Sequence, residues 1–145
     1  DRAPEGVVVD PPIDVILFEG WCVGTVPQAA AALREPVNRL ERDDDPDGTW
    51  RGEVNRRLAT DYGALFGRID VLVMLKVQGF EAVRANRRLQ EEKLARRNPG
   101  GAAIMDDAAL ERFLMHYERL TRWTLAEMPQ RADIMIPIGA VQRPE

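Results

Sequence analysis

The chain has 145 residues, 45% hydrophobic and 30% charged, and its net charge of −4 makes no overall electrostatic case for nucleic acid or an anionic membrane. A lone Cys22 excludes an internal disulfide and fits a reducing compartment. There is no signal-peptide pattern and no apolar run near the roughly 20 residues that span a bilayer, so a cytoplasmic protein is expected.

The sequence opens Asp1-Arg2-Ala3-Pro4, without an initiator methionine, and is read as a processed or truncated product. Residues 13–24, Ile-Asp-Val-Ile-Leu-Phe-Glu-Gly-Trp-Cys-Val-Gly, are the most informative stretch. Residues 15–18 are a short apolar run suited to a buried parallel strand. It ends at Glu19-Gly20, which puts a carboxylate at the carboxyl end of that strand, where open α/β sheets bind ligands. Asp14, at the strand's start, lies at the opposite sheet edge and is read as structural.

Residues 43–48, Asp-Asp-Asp-Pro-Asp-Gly, predict a solvated acidic turn, because they lack the twelve-residue calcium-loop pattern. Across residues 50–69, Val54, Leu58, Tyr62, Leu65, Phe66 and Ile69 recur at helical spacing and predict one helix with a buried stripe. Residues 71–77, apolar almost throughout, predict a central strand. Residues 80–97 predict a polar helix and Asn98-Pro99-Gly100-Gly101 a loop. Residues 107–128 predict an amphipathic helix capped by Asp106 and Asp107 and stopped by Pro129. Residues 134–138 predict a third strand, with Pro137 marking an edge or an end. Strands alternating with helices make this one three-layer α/β domain over residues 1–145, built on a parallel sheet.

Glu19 is the first candidate for chemistry, since phosphoryl transfer needs a carboxylate that holds Mg²⁺ directly or through water. The plainer alternative is a glutamate ending a strand in solvent. Trp21 can wall a small-molecule pocket or simply pack on the next helix, while Cys22 is read as packing. The basic knot Arg84, Arg87, Arg88, Lys93, Arg96 and Arg97 follows the central strand. Arg84, Arg87 and Arg88 share one helix face and suit a lid that neutralises a transferring phosphate. The plainer alternative is a solvated helix in which Glu81, Glu91 and Glu92 pair with these arginines. His116 has no second histidine or cysteine at ligand spacing and is read as a surface or capping residue.

The string Phe18-Glu19-Gly20-Trp21-Cys22-Val23-Gly24 resembles the D-glycerate 3-kinase family, a P-loop branch related to uridine kinase, pantothenate kinase and phosphoribulokinase. So do Asn38-Arg39-Leu40-Glu41-Arg42, Asp45-Pro46-Asp47-Gly48-Thr49-Trp50, Gln90-Glu91-Glu92-Lys93-Leu94 and His116-Tyr117-Glu118-Arg119-Leu120-Thr121-Arg122-Trp123. The resemblance implies a P-loop kinase-like fold and ATP- and Mg²⁺-dependent phosphorylation of D-glycerate to 3-phosphoglycerate. It gives Glu19 a metal-holding, catalytic role and Gly20 and Trp21 a place at the acceptor rim, with Gly20 also beside the nucleotide. It puts Arg84 on the nucleotide, Arg87 and Arg88 in the catalytic lid, and Arg2 beside the acceptor carboxylate.

The family's glycine-rich loop ending in Lys-Ser/Thr does not occur in these 145 residues, and that loop supplies the groups that cradle phosphates. The expectation is the carboxyl-terminal part of a longer kinase, inactive by itself and short of a central sheet strand, its amino-terminal segment belonging to the same protein or to another chain. Uridine or pantothenate kinase activity is the nearest rival, and a non-catalytic protein-binding module is the rival from another class. Nucleic-acid binding through the arginine knot is opposed by the acidic balance and the interleaved glutamates.

Overall fold

The computed structural model describes residues 6–97 and 104–139. In chain order these form a 3-10 turn (Ala30–Leu33), α1 (Arg39–Asp44), α2 (Thr49–Ala59), α3 (Asp61–Phe66), β1 (Val73–Lys76), α4 (Phe80–Arg97), α5 (Asp107–Glu127), a 3-10 turn (Met128–Gln130) and β2 (Ile134–Pro137). Arg2 and the loop at residues 98–101 lie outside the described residues. No helix among the described residues is long and apolar enough to cross a membrane.

β1 and β2 pair in parallel, in register from Val73 opposite Ile134 to Lys76 opposite Pro137. Parallel neighbours need a long crossover, and α4 and α5 supply it. The ladder is extended at one end by Leu72 N–H donating to Asp133 Oδ2 (2.8 Å) and at the other by Ile138 N–H donating to the Lys76 carbonyl (2.9 Å).

α5 carries the core. Asp106 caps it by accepting from Ala109 N–H at 2.7 Å. Leu110 and Leu114, one turn apart, pack with Phe80 from the start of α4, and Val83, Met105 and Phe113 close around them. Burying each such side chain contributes about 1.5–3 kcal/mol.

Four expectations about these elements are corrected. Residues 15–18 do not form a strand: Val15, Ile16 and Leu17 are 82%, 78% and 90% exposed, and the segment has no backbone hydrogen bond to another described segment. A strand exists only through the ladder of a neighbour, and the described residues offer it none. The expected central strand is not buried on both faces: Met74 is covered, while Val73 and Leu75 on the alternate face are open. A face left bare in this way gives the sheet fewer layers than three among the described residues.

The single helix over residues 50–69 is instead two, broken at Thr60, whose φ of −111° and ψ of −91° leave the helical region. Its stripe is only partly buried, with Val54, Tyr62 and Leu65 exposed and Leu58 covered. The acidic turn is corrected at Asp45. This residue is buried against Arg51, its carboxylate accepting from Arg51 Nη1 at 2.9 Å and from the Trp50 and Arg51 N–H groups.

Candidate functional site

The segment after Glu19 is a double turn pinned to α5. Val23 N–H donates to the Gly20 carbonyl at 3.4 Å and Thr25 N–H to the Cys22 carbonyl at 3.1 Å. Gly24 has φ +78°, and a Cβ there would lie 2.7 Å from Leu72 Cδ1, so the turn closes against the chain leading into β1 only with glycine. Four bonds then fix the segment: Trp21 Nε1 to Thr121 Oγ1 (2.9 Å), Thr25 Oγ1 with Thr124 Oγ1 (2.8 Å), Trp123 Nε1 to the Val26 carbonyl (2.8 Å) and Arg131 Nη2 to the Gly24 carbonyl (2.7 Å).

Trp21 therefore has a packing partner as well as a free edge. Its ring meets Tyr117 edge-on at 4.7 Å, Tyr117 meets Phe113 at 4.7 Å, and the Arg87 guanidinium lies 5.1 Å from the Phe113 ring centre. An aromatic ladder on α5 thus joins the rim at residues 19–24 to Arg87 on α4. Glu19 itself is exposed and forms no hydrogen bond among the described residues. Burial pushes the half-buried Cys22 thiol up, only partly offset by a backbone hydrogen bond, which makes it a poor nucleophile.

The three arginines are held differently. Arg84 lies 3.7 Å from Glu81 and 3.4 Å from Glu111, and Arg88 lies 3.5 Å from Glu111 and 4.0 Å from Asp107. These are long, partly exposed contacts of the kind worth at most about 1 kcal/mol, so either side chain can turn toward an incoming polyanion at little cost. Arg87 is clamped instead, its Nη2 2.5 Å from Glu91 Oε1. The buried Nε of Arg84 and of Arg87 has no acceptor among the described residues.

The plainer alternative makes Glu91 a solvated ion-pair partner of the arginines; it does pair with Arg87, but it is buried. The sequence does not show Glu111 and Phe113 as neighbours of the arginines. They come from another helix, and no spacing within α4 could signal them.

A cavity of about 490 Å³ opens at the carboxyl ends of both strands. Val77 and Gln78 after β1, Ile138 after β2, and Phe80 and Asn86 of α4 line it, with Arg122 of α5 at its wall. The Arg122 and Arg84 guanidiniums lie 5.1 and 5.9 Å from the Phe80 ring centre. This is the position that open parallel sheets give to ligands, and its lining is mainly apolar. The sequence signal for it was the placement of α4 directly after an apolar strand.

For Mg²⁺, the described residues hold no group of three or more His, Cys, Asp or Glu side chains that could cage an ion. Glu19 fits a sparser site, because it is an uncommitted carboxylate and Mg²⁺ usually keeps waters and takes one or two carboxylates plus substrate phosphates. His116 is exposed, with Nδ1 2.9 Å from the Arg112 carbonyl one turn back.

The chain is 32% identical over 128 residues to the chloroplastic D-glycerate 3-kinase of Arabidopsis thaliana, covering 86% of this chain and 25% of that protein. It is 36% identical over 104 residues to the uncharacterized kinase mug58 of Schizosaccharomyces pombe, covering 70% of this chain and 35% of that protein. The chain thus spans about a quarter to a third of the length of these curated relatives. No family model matches it, and no solved structure matches it. Two partial relatives, both named as kinases, support a kinase-type enzyme family for this stretch of sequence.

Proposed function

We propose that this chain belongs to an ATP-dependent small-molecule kinase that moves the γ-phosphoryl group of ATP onto a hydroxyl of D-glycerate, giving 3-phosphoglycerate and ADP. The observation that carries this reading is the match to a D-glycerate 3-kinase over 86% of the chain. The arrangement of side chains is compatible with it. Arg87, and Arg84 and Arg88 once turned from their loose pairs, would neutralise the charge spread over the transferring phosphoryl oxygens. Glu19 would hold Mg²⁺, which when bound offsets charge on the β- and γ-phosphates. Gly20 and Trp21 would border the acceptor, and Arg84 and Gly20 the nucleotide. The phosphate-cradling loop must come from outside these 145 residues, so the activity is assigned to the full-length natural product.

The test is ADP release by that product with ATP, Mg²⁺ and D-glycerate, with 3-phosphoglycerate identified as the product. Turnover with pantothenate or uridine instead would keep a kinase and replace the acceptor. Folded protein that neither binds ATP nor turns over any of the three would overturn the kinase reading and leave a non-catalytic binding module.

A further inference from the structure

The charged side chain that α4 buries is Glu91, 6% exposed. A buried carboxylate persists only where its oxygens are satisfied. Glu91 uses one on each of two segments: Oε1 accepts from Arg87 Nη2 at 2.5 Å, and Oε2 accepts from the Met105 N–H at 3.2 Å. The second bond fixes the carboxylate to the chain that leads into α5, so it is not free to follow Arg87. Arg87 must follow it.

Gln90 Oε1 accepts from Arg87 Nη1 at 3.1 Å, and the guanidinium lies over the Phe113 ring. The cation is thereby held from three directions at the end of the aromatic ladder that begins at Trp21. Arg84 and Arg88 have no such seat, since their partners stand at 3.4–4.0 Å.

We infer that Glu91 is a positioning residue: resting on the kinase reading of this chain, in which Arg87 neutralises the transferring phosphoryl group, it holds the Arg87 guanidinium fixed for that step. Glu91 touches no substrate. Its effect passes through Arg87, and it acts on the chemical step rather than on binding, because a preorganised cation stabilises the transition state without reorganising during the reaction.

The experiment compares Glu91→Gln, Arg87→Ala and the double variant in the full-length natural product, with kcat, both KM values and melting temperature for each. Gln keeps an oxygen for the Met105 N–H but loses the charge that grips Arg87. Glu91→Gln should lower kcat roughly tenfold to a hundredfold with both KM values within about twofold, and the double variant should be no slower than Arg87→Ala.

Wild-type kcat in Glu91→Gln beside a slow Arg87→Ala overturns this inference and leaves the kinase reading standing. Additive losses overturn it too, since Glu91 would then act apart from Arg87. Full turnover in Arg87→Ala, or no phosphoryl transfer by the parent protein, removes the kinase role of Arg87 and this inference with it. If Glu91→Gln does not fold, Phe113→Leu removes the ring under the guanidinium. A kcat loss at constant KM then supports the seating of Arg87, and unchanged kcat overturns it.

Discussion

Arg119 of α5 grips Glu41 of α1 with two hydrogen bonds, Nε to Oε1 at 2.7 Å and Nη2 to Oε2 at 2.6 Å. Its remaining donors reach the carbonyls of Ala32 (2.9 Å) and Glu35 (2.7 Å), so one buried guanidinium ties the 3-10 turn, the chain after it and α1 to the central helix. Asn38 adds a second tie, donating to the Met115 carbonyl and to Glu118. Replacing Arg119 by Met fills similar space but strands a partly buried carboxylate and two carbonyls. The expected cost is about 3–5 kcal/mol, read as a lower denaturant midpoint at unchanged slope. A loss under 1 kcal/mol would mean that this segment does not depend on the clamp.

Acid should loosen the same region. Burial by itself would raise the Glu41 carboxyl, but hydrogen bonds from Arg119 and the Val37 N–H, with the Arg119 charge, outweigh it and leave the group below its ordinary 4.5. Asp45 behaves alike: burial raises it, and bonds from the Trp50 and Arg51 N–H groups and the Arg51 side chain bring it below its ordinary 3.8. Groups depressed in the folded state contribute stability that is present above the unfolded values and lost as pH falls through the folded ones. The melting temperature should therefore hold near neutrality and drop once pH passes below about 4.5. Glu41→Gln and Asp45→Asn should each start lower and fall less steeply. Equal steepness in all three proteins would remove these two groups as the cause.

How much could be read from sequence alone divides along a physical line. The helix at residues 80–97 is found with the same bounds and the one at residues 107–128 to within a residue, because apolar period, acidic cap and proline stop are local. The strands at residues 71–77 and 134–138 are found as well, slightly shorter, and they pair in parallel as the alternation of strands and helices implies. Residues 15–18 carry the same kind of apolar run and form no strand, because a strand is a property of a pair and the run does not reveal its partner. The buried charges Arg51, Glu91, Glu118 and Arg119 look like surface residues in sequence, and partners as far as 87 positions away help make their burial tolerable. The sequence singles out Trp21 and Arg87 but gives no sign that the rings of Phe113 and Tyr117 lie between them.

Gly24 should tolerate no side chain. Its φ of +78° is unfavourable for an L-residue, and the Cβ of alanine would stand 2.7 Å from Leu72 Cδ1 and 3.4 Å from Met128 Cε. Gly24→Ala should cost about 1–3 kcal/mol in thermal or chemical unfolding. Gly52, with open space around its Cβ position, is the control, and Gly52→Ala inside α2 should be neutral or stabilising. Matching stabilities for the two variants would refute the tight approach of the turn to Leu72.

Trp21 can be tested for both of its readings at once. Trp21→Phe keeps an aromatic edge for Tyr117 but loses the bond to Thr121 Oγ1, which should cost about 1 kcal/mol of stability. If the exposed part of the indole also walls the acceptor site, KM for D-glycerate should rise severalfold in the full-length product while KM for ATP stays constant. A stability loss with both KM values unchanged would assign Trp21 to packing alone.

Glu19 gives the sharpest test of the chemistry, because it has no structural work among the described residues. It is exposed and unpaired, so Glu19→Gln should leave the melting temperature within a degree or so, as surface substitutions usually do. In the full-length product the same change removes the carboxylate proposed to hold Mg²⁺, and kcat should fall on the order of a hundredfold. The Mg²⁺ concentration needed for half-maximal rate should rise with it, a readout that a loss of general acid–base help would not move. Wild-type kcat and an unshifted Mg²⁺ dependence would take Glu19 out of the site, and the rim at residues 19–24 would then be held only by its packing on α5.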